Sequence, residues 1–122
     1  MSAAAEETML SAELWLSFAS LVRAYAAVAS ANAGPTPKVT VTGETIRVAA
    51  GSARLEMRCD PKTGAGNWTM SRGEALLTQG RLDLLPEGSI ALDGKPLDLD
   101  HAAIDLVASV VNAAASSARD EQ

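Results

Sequence analysis

Asp98, Asp100, His101 and Asp105 form the densest cluster of chemically able side chains in this sequence. On a helix, His101 and Asp105 stand one turn apart on the same face. An imidazole and carboxylates so arranged can hold a divalent metal or share a proton in general acid–base work, which makes the segment a candidate for a metal-dependent enzyme. The same residues have a plain structural use. Asp98 and Asp100 lie just before an apolar-periodic run, where Asp is a preferred helix cap, and Asp105 is then a solvated helix position. A metal hydrolase also needs more ligands than this segment supplies. No catalytic residue, metal site or cofactor is therefore assigned.

Cys59 and His101 are the only residues of their types, and a thiol beside an imidazole is a nucleophile. However, Cys59 continues the alternation of Leu55 and Met57, which predicts a buried and inert thiol. Gly64-Ala65-Gly66 precedes a strand pattern, so it reads as a hairpin loop and not as a phosphate cradle at a helix start.

A third set is more extensive. Arg47, Arg54 and Arg58 share the polar side of the strand pattern with Thr40, Thr42 and Thr69. Guanidinium groups that converge can bind a carboxylate or phosphate. Glu56 lies between Arg54 and Arg58 and offers the competing outcome, a cross-strand charge pattern. This Thr/Arg face is the expected ligand or partner surface.

Positioning these groups falls to an alternating middle. From Val39 to Leu92, apolar and polar residues alternate in short runs, placing Val39, Val41, Ile46, Val48, Leu55, Met57, Trp68 and Met70 on one side. Strands are expected near 38–42, 45–49, 53–59, 67–72, 75–79 and 89–92, joined by turns at Gly43-Glu44, Gly51-Ser52, Gly73-Glu74 and Asp93-Gly94. Residues 81–88 fit either a strand or an irregular crossing.

Helices are expected at about 5–31 and 101–117. In the first, Leu10, Leu14, Phe18, Leu21, Val22, Tyr25 and Val28 form an apolar face, with Trp15 at its edge and Met9 and Leu16 on the far side. In the second, Ile104, Val107, Val111 and Ala114 mark the buried side, and residues 118–122 fray. The expected fold is one α+β domain over residues 1–122, an antiparallel β-meander of about five to seven strands with one face packed by both helices.

Composition narrows the function. The net charge is −5, aromatics make up 3%, and one cysteine is present, so nucleic acid, anionic membranes and a disulfide scaffold are poor fits. Glu6, Glu7 and Glu13 precede the apolar run of the first helix and Arg23 interrupts it, against an export signal or a membrane span. A cytoplasmic setting is expected.

The leading expectation is a small acidic, non-catalytic binding or adaptor module that acts as a homodimer. A carrier holding a small molecule in an apolar pocket between sheet and helix, lined by Met57, Trp68 and Met70, is the alternative. The metal-dependent enzyme at Asp98, Asp100, His101 and Asp105 is the third.

Overall fold

The structure, a computed structural model, describes residues 3–30, 37–60, 62–85 and 87–120. Helix α1 (Ala3–Ser30) leads into strands β1 (Lys38–Thr42), β2 (Thr45–Ala50), β3 (Ala53–Cys59), β4 (Ala65–Arg72), β5 (Ala75–Leu84), β6 (Ile90–Leu92) and β7 (Lys95–Leu97), and helix α2 (Leu99–Asp120) closes the chain. The seven strands form one antiparallel sheet in sequence order. With the two helices packed against it, this is the expected α+β meander.

Short turns produce that order. Gly43, Gly51 and Gly73 open two-residue turns with φ of +54°, +57° and +60°, the sign that a type II′ turn needs at its first position. Asp93 and Gly94, at +55° and +84°, make the primed turn with two left-handed residues. The loop after β3 is held by its own side chains: Asp60 accepts the Lys62 amide at 2.8 Å and the Thr63 hydroxyl accepts that of Ala65 at 3.2 Å. Gly66 then passes so close to β3 that a Cβ would stand 2.0 Å from the Arg58 carbonyl oxygen.

The strands differ from expectation first at β4, which starts at Ala65, so that Ala65 and Gly66 of the expected hairpin loop are already strand. Strand β5 runs on through Gly80 to Leu84, so the uncertain 81–88 segment begins as a strand, and β7 adds a seventh. In the β4–β5 pairing Met70 faces Thr78 while Ser71 faces Leu76, leaving Leu77 as the extra residue of a bulge.

Alternation is converted into a core. Ile46, Val48, Leu55, Met57, Cys59, Met70, Leu82 and Ile90 are buried on one sheet face against Trp15, Phe18 and Val22 of α1 and Leu106, Val107 and Val110 of α2. Met57 and Met70, expected as pocket lining, are packed inside this core, and Trp68 lies against it.

Both helices pack through most of the predicted stripe, with Leu14, Phe18, Leu21, Val22 and Tyr25 of α1 and Val107, Val111 and Ala114 of α2 in or against the core, but each stripe is shifted at its margin. Trp15 is in the core, stacked on Phe18 with ring centroids 5.9 Å apart, whereas Val28 is 59% exposed. On α2 the sheet-facing residues are Ala102, Ala103, Leu106, Val107, Val110 and Ala114, while Ile104 is 42% exposed. Small residues explain the shift. Ala19, Ala26, Ala102 and Ala103 let the helices approach closely, although alanine gives little hydrophobic signal in a sequence pattern.

Residues 12–29 are long and apolar enough to cross a membrane by length and composition. Their Trp15, Phe18, Ala19, Val22 and Ala26 side chains are buried in the protein core. The side chains of Met9 and Leu10 lie outside the described residues, as does residue 31, the expected end of the first helix. The backbone of α2 extends to Asp120, past the predicted fraying point.

Candidate functional site

The acidic cluster takes shape at the start of α2. Asp98 is the cap: its Oδ1 accepts the His101 amide at 2.7 Å, and its carbonyl accepts the Ala102 amide at 3.1 Å. The carboxylate also meets the His101 ring, with Nδ1 at 2.8 Å from Oδ2. Asp100 turns elsewhere and accepts the Tyr25 hydroxyl at 2.9 Å, tying α1 to α2. Among the described residues, no group of three or more His, Cys, Asp or Glu side chains is arranged to hold a metal ion.

Charge follows this geometry. The hydrogen bond to the Asp98 side chain, then the Asp98 charge, raise the His101 imidazole above its ordinary 6.5. Hydrogen bonding by the His101 amide, then by its ring, lowers Asp98 below 3.8. The bond to Asp100 is the main cause that holds the Tyr25 phenol above 10.0.

Since the folded state favours protonated His101, its contribution to stability is complete below the unfolded value and is lost as pH rises through the folded one. The Asp98 contribution is present above its unfolded value and lost as pH falls through its lowered one. A proton NMR titration is expected to give a His101 midpoint above 6.5 that moves back toward 6.5 in Asp98→Asn, where asparagine still caps the helix. A midpoint unchanged by that substitution would remove Asp98 as the cause.

Cys59 and His101 are not brought into a pair. Cys59 is buried, its sulfur 3.8 Å from the Asp60 carbonyl oxygen, and desolvation, helped by nearby carboxylates, pushes its thiol up to about 12. His101 is exposed at the α2 start. A thiol so raised is protonated at neutral pH and is a poor nucleophile.

On the outer sheet face, register separates the arginines. Thr40, Arg47, Glu56, Thr69 and Gln79 form one row across five strands, and Arg47 Nε meets Glu56 at 3.1 Å. This is the cross-strand pair that competed with convergence, worth about 0.2–1 kcal/mol at an exposed site. Arg54 lies in the row of Ala49 and Ser71, and Arg58 in that of Thr45 and Asn67. Four residues of strand separate the two, roughly 13 Å at the usual rise. Thr42 lies at the end of the Arg58 row, opposite Thr45. The face is open and polar, with Arg47 paired to Glu56 and Arg54 and Arg58 in the rows on either side of that pair.

A surface that the periodicity missed lies between the helices. Tyr25, Val28 and Ala29 of α1 face Ile104, Val107, Ala108, Val111 and Asn112 of α2 across a groove of about 380 Å³. Its rim residues Val28 and Ile104 were both expected in the core, so the signal was read as burial. Leu16, expected on the far side of the first helix, is 64% exposed. Comparisons with protein-family models, curated proteins and solved structures find no match to this chain.

Proposed function

We infer that this chain is a non-catalytic binding or adaptor module that acts as a homodimer. The observation that carries the binding part of this reading is the groove of about 380 Å³ between α1 and α2, with Val28 and Ile104 exposed along it, while the exposed Leu16 and the open sheet edge beside it support self-association. Exposed aliphatic side chains lining a concavity are the usual mark of a surface that receives apolar groups. The groups with chemical potential are meanwhile engaged in structure: Asp98 caps α2, Asp100 binds Tyr25, and Cys59 is in the core. A cytoplasmic, reducing setting belongs to this reading and is supported by the free Cys59 thiol.

Sedimentation equilibrium at micromolar concentration is expected to give twice the 12.6 kDa chain mass. Ile104→Asp is expected to keep the fold, because the site is exposed, and to lose any protein that co-purifies through the groove. A strict monomer with no co-purifying protein would end the reading. The groove volume also supports a small-molecule carrier as a second reading, for which native mass spectrometry must show a bound apolar compound.

A further inference from the structure

The two edges of the sheet are finished differently. Strand β7 has three residues including Pro96, which lacks an amide donor, and Lys95, and such features blunt an edge against further pairing. Strand β1 has five residues, Lys-Val-Thr-Val-Thr, no proline, and an unbroken register with β2 from Lys38↔Ala49 to Thr42↔Thr45. Its turn has two residues, so Thr42↔Thr45 is the closing hydrogen-bonded pair. Alternation then directs the backbone groups of Thr40 and Lys38 toward β2 and those of Val39 and Val41 outward. Among the described residues, no turn or loop bonds to these outward groups.

The core side of this edge is also unfinished. Leu16 stands 64% exposed in a hollow with Ala19, Ser20, Arg23 and Val41, and a second hollow beside it reaches Gly43 and Glu44. We propose that a second copy of this chain pairs antiparallel with β1 about a two-fold axis at Thr40, joining the two sheets into one. This inference rests on the homodimer reading and assigns its interface.

The strand is self-complementary about that residue. An axis at Thr40 sets Val39 opposite Val41 of the other copy in both directions, so every outward amide and carbonyl of the two valines gains a partner. Their side chains meet on the core face, the side that carries Leu16, while the two threonines meet on the polar face. Lys38 lies opposite Thr42 of the other copy, two residues from its Glu44, so within the paired strands opposite charges approach at both ends.

At the axis, the Thr40 positions form a non-hydrogen-bonded pair, whose Cα separation of about 4.5 Å lies within disulfide range. Thr40→Cys is therefore expected to give a reducible covalent dimer under mild oxidation. Thr42→Cys, displaced from the axis, is expected to stay monomeric on a non-reducing gel, and the buried Cys59 to remain unlinked in both. Val41→Pro removes an outward donor that β2 does not use and is expected to sediment as a folded monomer by circular dichroism. A wild-type dimer that does not cross-link through Thr40→Cys would overturn the β1 interface and leave the homodimer standing. A wild-type monomer would overturn both.

Discussion

Phe18→Ala is expected to destabilise the protein by about 3–5 kcal/mol, the range for emptying a buried phenylalanine site. Phe18 is fully buried in the layer between α1 and the sheet, in a chain with only one phenylalanine, one tyrosine and two tryptophans. Its ring lies against Trp15, whose indole nitrogen is buried without a hydrogen-bond partner. Removal of the ring leaves a cavity and weakens the stacking that holds Trp15. Against a typical domain stability of about 5–15 kcal/mol the loss is large. Urea unfolding should show a lower midpoint at an unchanged slope. Val28→Ala, on the same helix but exposed, should stay within about 0.5 kcal/mol of wild type. Equal losses at the two positions would mean that Val28 is buried as Phe18 is and that the predicted stripe packs along its whole length.

That contrast shows what the sequence made legible. Strands β1 to β4 could be read because large β-branched or long apolar residues alternate cleanly with Thr, Arg and Glu, and Gly-containing dipeptides mark the turns. The helix stripe could not be read as well, since Ala19 and Ala26 contribute close approach and not hydrophobic size. Strand β7 was hidden by Pro96, a residue that an edge strand tolerates but a strand pattern argues against.

The site residues divide along the same line. Capping by Asp98 is a local event within four residues and was visible in sequence. That Arg54 and Arg58 share a strand was legible in the expected 53–59 run, whereas the pairing of Arg47 with Glu56 depends on the register between two strands. The groove between α1 and α2 depends on how two helices far apart in sequence are rotated about their axes. Periodicity gives the existence of an apolar face, but tertiary packing selects which part of it is covered.

The same distinction bears on Gly80, which lies just past the expected 75–79 strand but inside β5 in the structure. A Cβ at this position would stand 2.1 Å from Asp93 Oδ1 and 2.7 Å from the Trp68 indole nitrogen. The Asp93 carboxylate is held there: it accepts the Arg81 amide at 2.7 Å, and the Asp93 amide donates to the Arg81 carbonyl at 2.9 Å. Glycine thus makes room for the hook that fastens the β6–β7 turn to β5. Gly80→Ala must displace that hook or the indole. The lost charged hydrogen bond, about 1.5–3 kcal/mol, and overpacking, about 1–3 kcal/mol, together predict a destabilisation of roughly 2.5–6 kcal/mol. Asp93→Gly loses the carboxylate bond but keeps a residue suited to the +55° φ, so it should cost less. In the double substitution the new methyl enters the space that the carboxylate has left. The combined loss in urea unfolding should therefore fall at least about 1 kcal/mol short of the two single losses added. Strict additivity would mean that the Gly80 methyl collides with Trp68 alone and that Asp93 is not what requires glycine there.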